Sequence, residues 1–190
     1  MSTVPELVHR AQALATAMRF ERSSIPEIGR LLAVLAATRP RGRFAEIGTG
    51  CGVGSAWVAD ALAMEASLVT VELDDDRAAA AGRLLADHPN VRVLHGDWHE
   101  LLPLEAPFDL LFFDGGYWKK GDVPAESDQV LRLMASRGVV VIDDLTPRNL
   151  MPEEWATGDP VRDYWLGNDG LVSTELLTTP ESAAILAVKV

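Results

Sequence analysis

The run Glu46-Ile47-Gly48-Thr49-Gly50-Cys51-Gly52-Val53-Gly54 places four alternating glycines directly between a strand-like segment and a helical one. Glycines at that spacing let a ligand approach the backbone closely. Strand-to-helix turns of this kind also serve dinucleotides, so the turn by itself leaves the ligand open. Two features narrow it. Glu46 stands two residues before the first glycine, a poor neighbour for a pyrophosphate but a good one for a ligand carrying an ammonium and a sulfonium. The last glycines are spaced Gly-x-Gly-x-Gly rather than in the Gly-x-Gly-x-x-Gly pattern of a dinucleotide fingerprint. Further along, Glu72 closes the second strand-like run, 24 positions after Gly48, where a carboxylate reaches a ribose diol in such folds. Asp97, in His95-Gly96-Asp97-Trp98, is placed to accept from an exocyclic amine while Trp98 lies against the base.

These residues need a scaffold, and the apolar pattern supplies one. Leu7, Ala11, Leu14 and Met18 recur at helical spacing, as do Ile28, Leu32 and Leu35. Ser24-Ile25-Pro26-Glu27 reads as a capping box starting the second helix near Ile25. Residues 43–48, 68–73, 91–95, 109–113 and 139–142 form short apolar runs that suit strands buried on both faces. Helical patterns over 54–64, 75–87 and 125–136 separate most of them, which predicts a parallel α/β sheet. The runs 171–178 and 183–190 are joined by four residues, too few for a helical crossover, and predict an antiparallel hairpin at the end of the sheet. The irregular stretch 146–170, rich in proline and glycine with Trp155, Tyr164 and Trp165, reads as a lid carrying a short helix.

The chain resembles the class I S-adenosylmethionine-dependent methyltransferases. Residues 46–54 are similar to their first motif, Val71-Glu72-Leu73-Asp74 to the acidic strand end that holds the ribose, Gly96-Asp97-Trp98 to the adenine turn, and 108–114 to the fourth-strand motif. The resemblance covers nearly the whole chain. It implies one Rossmann-like, doubly wound domain over 1–190, its seven-stranded sheet ordered 3-2-1-4-5-7-6, mostly parallel with an antiparallel last strand. Residues 1–40 would form N-terminal helices and 145–170 the substrate lid. The cofactor would be S-adenosylmethionine, held by Ser24, Glu46, Gly48, Thr49, Gly50, Gly52, Glu72, Leu73, Asp97, Trp98 and Asp114. Ser24-Ile25-Pro26-Glu27-Ile28-Gly29-Arg30-Leu31-Leu32 and Ile142-Asp143-Asp144 are most similar to the small catechol- and caffeoyl-CoA-type O-methyltransferases. In that group the residues matching Asp114, Asp143 and Asp144 hold a divalent cation. Asp144 stands where the group has asparagine.

Neighbouring fourth and fifth strands would bring Asp114, Asp143 and Asp144 together at the carboxyl edge, where open α/β sheets bind ligands. An all-oxygen set favours Mg²⁺, Ca²⁺ or Mn²⁺, and such a cation would lower the pKa of a substrate hydroxyl. The competing reading makes Asp114 a contact of the cofactor's ammonium and the other two turn caps. Besides Asp114, Lys119 is the candidate for catalysis, although aligning it with the lysine of the catechol-type enzymes requires a two-residue insertion. His99, beside Asp97, is a weaker candidate base. Cys51 lies at a helix N-terminus, which would lower its pKa.

Seventeen basic and 28 acidic side chains give a net charge of −11 over 190 residues, which argues against a nucleic-acid or anionic-membrane partner. A single cysteine excludes an internal disulfide and a cysteine-based zinc site, and no secretory signal is evident, so the expected location is cytoplasmic. The reading is methyl transfer from S-adenosylmethionine to a small-molecule oxygen, a hydroxyl by preference, and it leaves a homodimer open. Two alternatives stand beside it: an NAD-type oxidoreductase, and an S-adenosylmethionine-binding protein without catalysis.

Overall fold

Consecutive side chains of a strand point to opposite faces, so an unbroken apolar run requires cover on both. In the computed structural model, which describes residues 4–114, 121–151 and 158–190, each of the five runs becomes a strand of one sheet. They are β1 (Arg43–Ile47), β2 (Ser67–Glu72), β3 (Val91–His95), β4 (Phe108–Phe113) and β5 (Met134–Leu145). The terminal hairpin adds β6 (Leu171–Thr179) and β7 (Ser182–Lys189). The order is β3-β2-β1-β4-β5-β7-β6. Strands β1 to β5 run parallel, and β7 pairs antiparallel with both β5 and β6. This is the expected Rossmann-like sheet.

The alternation is visible in the packing. Phe44, Leu110, Phe112 and Val141 pack against α2 (Pro26–Ala37) and α3 (Val53–Ala61). Ala45, Leu111, Phe113 and Ile142 pack with α6 (Val123–Leu133) and α7 (Pro160–Gly167). A further cluster joins α1 (Glu6–Ala17) and α4 (Asp75–Leu84) to α3. Burying each of Phe44, Phe112 and Phe113, all essentially inaccessible, contributes about 1.5 to 3 kcal/mol of transfer free energy. Among the described residues no helix is long and apolar enough to cross a membrane.

Four local expectations are corrected. No capping box forms: Ile25 is the N-cap of α2 and no side chain caps it, because the Ser24 hydroxyl is drawn across to Asp114. The helix predicted to end at Ser136 stops at Leu133, and Met134 pairs with Phe108 at the start of β5, ahead of a bulge. Between β3 and β4 lies an unforeseen short helix, α5 (Trp98–Leu101), continued by a 3₁₀ turn, Leu102–Leu104. Within the segment expected to be a lid, α7 belongs to the core, with Trp165 fully buried and Val161 4% exposed. Arg162, also buried, anchors α7 by bonding Glu175 of β6 and the Thr146 carbonyl. Trp155 lies outside the described residues.

Helices α2 and α3 meet across Gly29, where a Cβ would stand 2.1 Å from the Trp57 ring. Gly82 of α4, by contrast, has open space at that position. Gly82→Ala should therefore stabilise the protein by about 0.5 to 1 kcal/mol through helix propensity. Gly29→Ala, with the same intrinsic gain, should destabilise it by about 1 to 3 kcal/mol through overpacking. Urea denaturation of the two variants checks both signs.

Candidate functional site: an acidic edge around the glycine turn

Glu46 sits on central strand β1, in register with Thr70 of β2, and is 2% exposed. Its Oε2 accepts hydrogen bonds from the hydroxyls of Ser55 and Thr70, the latter at 2.7 Å. Since Thr70 has one hydroxyl proton and gives it to Glu46, the Thr49 hydroxyl donates to Thr70, at 2.6 Å. The Thr49 proton is thus spent inside the chain, and its hydroxyl is left to a ligand only as an acceptor. Burial, helped by the charge on Glu72 and opposed by the two hydroxyls, pushes the Glu46 carboxyl up to about 7.

The turn wraps this carboxylate. Gly48, Gly50 and Gly52 all have positive φ, at 94°, 53° and 84°, which only glycine adopts without strain. A Cβ on Gly54 would fall 2.3 Å from Glu46 Oε1, and one on Gly50 would fall 2.7 Å from the Phe20 ring. Glycine at these positions therefore lets Glu46 and Phe20 pack directly against the backbone of the turn. Glu72 braces the turn, its Oε2 accepting from the Gly50 N–H at 2.7 Å. Its Oε1 is occupied by the Asp74 N–H at 3.0 Å and by the Arg77 guanidinium at 2.9 Å. Arg77 in turn lies over the Phe20 ring. Only Oε2, with one donor among the described residues, retains capacity to accept from a diol, so the expectation that Glu72 takes both ribose hydroxyls narrows to that oxygen. Leu73, next along, is 73% exposed.

Asp97 caps α5 by accepting from the His99 N–H at 2.9 Å. His99 Nδ1 lies 2.6 Å from the same Asp97 oxygen, and Nε2 lies 2.9 Å from Glu126 of α6. A ring engaged on both nitrogens has no lone pair to offer a substrate, so His99 is not a free base. Trp98 stacks on the His99 ring and meets Phe113 edge-on.

At the ends of β4 and β5, Asp114, Asp143 and Asp144 each present a carboxylate oxygen within 4.8 Å of the others. Adjacent strand residues normally face opposite ways. Asp144 escapes that rule by adopting φ 60°, at a break in the β5–β7 pairing. Asp143 is buried, Asp144 exposed and Asp114 between the two. Burial raises the Asp114 carboxyl well above the usual range, and the charges of Asp144, Asp143 and Glu46 add to it. Ser24 Oγ donates to Asp114 Oδ2 at 3.2 Å, and the serine oxygen would lie 3.1 Å from a Cβ on Gly54. The serine therefore links this trio to the glycine turn.

Lys119, with Tyr117 and Trp118, lies outside the described residues. Cys51 is buried, and burial pushes its thiol up rather than down, which fits a packing role rather than activation by the helix N-terminus. Ser55, Thr70 and Arg77 were not anticipated. A threonine inside the apolar run of β2, level with Glu46, was the available signal for Thr70. The arginine five residues after Glu72 was the signal for Arg77.

A family model described as a methyltransferase domain matches residues 45–145, the span that holds β1 to β5 and most of the site. A probable O-methyltransferase of Mycobacterium tuberculosis is 29% identical over 123 residues, 62% of this chain and 54% of the relative. The chain thus spans about half the length of the curated relatives it matches. The solved O-methyltransferase TomG of Streptomyces achromogenes, involved in tomaymycin synthesis and in complex with S-adenosylmethionine, is 26% identical with a TM-score of 0.80. That likeness covers 100% of this chain and 92% of TomG. An O-methyltransferase of Bacillus cereus in complex with S-adenosylhomocysteine shares the fold at a TM-score of 0.81, with 21% identity and coverage of 100% and 93%. With more than half of its length matched and the sheet order in agreement, the chain belongs to the methyltransferase domain family.

Proposed function

We propose that this protein binds S-adenosylmethionine at the carboxyl edge of β1 to β4 and transfers its methyl group to a hydroxyl of a small molecule. The observation that carries the reading is the charge of the site. Glu46 is buried and Asp114 half-buried beside the glycine turn, and Arg77, which follows the second strand, is already paired with Glu72. A pyrophosphate would meet only repulsion there, whereas an ammonium and a sulfonium would relieve it. S-Adenosylmethionine fits the residues in that sense, and TomG, similar over the whole chain, is solved with it.

When bound, S-adenosylmethionine supplies a methyl group already activated on sulfur. The chain then has to hold it in line with the acceptor and manage the acceptor's proton. Gly48, Gly50 and Gly52 let the ligand lie against the backbone. Glu46 and Asp114 complement its cationic end, Glu72 Oε2 and exposed Leu73 serve the ribose side, and Asp97 with Trp98 serves the adenine. Asp114 has a further role, which depends on its neighbours. Ionised carboxylates at Asp114, Asp143 and Asp144 form an all-oxygen set suited to Mg²⁺ or Ca²⁺, and such a cation would supply Lewis acidity toward the acceptor oxygen. Without one, the raised carboxyl of Asp114 makes it a stronger base than an ordinary aspartate, placed to take the proton. Lys119 is the second candidate base. The one cysteine, buried and free, is in keeping with a reducing, cytoplasmic setting.

Calorimetric titration with S-adenosylmethionine should show saturable binding. Glu72→Gln should weaken it by about 2 to 3 kcal/mol, roughly thirtyfold or more in dissociation constant. Retention within about threefold would remove the ribose role from Glu72. Turnover on a panel of hydroxylated acceptors then separates a methyltransferase from a protein that only binds the cofactor.

The cation has its own test. Millimolar Mg²⁺ or Ca²⁺ should raise the melting temperature by relieving the repulsion among the three aspartates. Asp143→Asn should blunt that rise, while Asp87→Asn, at an exposed position beyond α4, should leave it intact. Full turnover in excess EDTA without a thermal shift would return Asp114 to the role of base.

A further inference from the structure

We propose that His99 is a positioning residue for the adenine end of the cofactor site, and that its double contact makes cofactor affinity depend on the protonation of its ring. The inference rests on the reading of Asp97 and Trp98 as the adenine-facing pair. Asp97 is the N-cap and Trp98 the first residue of the four-residue helix α5, which is too short to hold its own shape. A tie to another element must therefore fix the two side chains.

His99 does this three ways. Its backbone N–H and Nδ1 both bond Asp97 Oδ1, at 2.9 and 2.6 Å. Its ring stacks on Trp98 with centroids 3.8 Å apart and planes at 27°. Its Nε2 reaches 2.9 Å across to Glu126 in the first turn of α6. Trp98 is caught between this ring and Phe113, the residue before Asp114. The adenine turn is thereby tied to α6 and to the end of β4 through one imidazole.

The contact geometry requires a charge. The groups facing the ring are Asp97 from its own turn and Glu126 from α6, both carboxylates. Only an imidazolium donates from both nitrogens. A neutral ring donates from one and turns a lone pair toward the other carboxylate, so one of the two ties is lost. Partial burial works against the charge, but the bonds to Asp97 and Glu126 outweigh it and raise the ring above its ordinary 6.5. The clamp is therefore complete below that ordinary value and is lost as pH rises through the raised one.

The test compares S-adenosylmethionine binding by the wild type and by His99→Gln from pH 6 to pH 9.5. Glu46 and Asp114 titrate in both proteins, so the ratio of dissociation constants isolates His99. The variant should bind about three- to tenfold more weakly at pH 6, with the ratio closing toward unity at high pH. A ratio that stays constant across the range overturns the proposal. Absence of binding by the wild type instead brings down the reading of the site itself, and the proposal with it. A second readout needs neither the cofactor nor that variant. In the NMR titration the His99 ring should titrate above 6.5 in the wild type and lower in Glu126→Gln; an ordinary or depressed wild-type value overturns the clamp.

Discussion

A carboxylate placed inside a central strand must be compensated, and Glu46 is placed there. Hydroxyls rather than cations surround it, so Ser55 and Thr70 solvate the group without neutralising it. Its carboxyl consequently holds its proton to about 7 in the folded chain against 4.5 in the ordinary case. The unfolded chain gives that proton up first, so this group lowers folding stability as pH rises from about 4.5 to about 7, by at most about 1.4 kcal/mol per unit. A bound cation recovers what is lost. The glycine turn, the start of α3 and the inward hydroxyl of Thr49 are all arranged around this one group.

The second acidic centre depends on the first through the order of the sheet. Because β4 lies beside β1 and β5 beside β4, Asp114, Asp143 and Asp144 emerge within reach of the glycine turn. Ser24 then joins the two centres. What the fold gathers at its carboxyl edge is a row of acidic groups, from buried Glu46 out to exposed Asp144. Arg77 is engaged on Glu72. An edge lined with carboxyls would favour cationic ligands by electrostatics.

Much of this was legible in the chain because it is local. Consecutive apolar positions announced doubly covered strands, and four residues between the last two runs left room only for a hairpin. The alternating glycines marked the turn. What escaped depends on partners far along the chain. Ser24 had the local pattern of a helix cap, but a half-buried aspartate 90 residues away claimed its hydroxyl. The segment after Leu133 had helical periodicity, yet pairing with Phe108 drew Met134 into β5. The left-handed backbone of Asp144 is likewise invisible in composition, since it arises where β5 and β7 fall out of register. His99 read as a candidate base beside Asp97 because Glu126, which occupies its second nitrogen, arrives from another helix.

The buried Glu46 carboxyl, which holds its proton to about 7, would surrender it to a positive ligand. Calorimetric titration with S-adenosylmethionine at pH 6.5, repeated in buffers of different ionisation enthalpy, measures the protons exchanged on binding. The account predicts release of roughly half a proton or more per complex, less in Glu46→Gln, and no binding of NAD. Binding without proton release, or a preference for NAD, would contradict it.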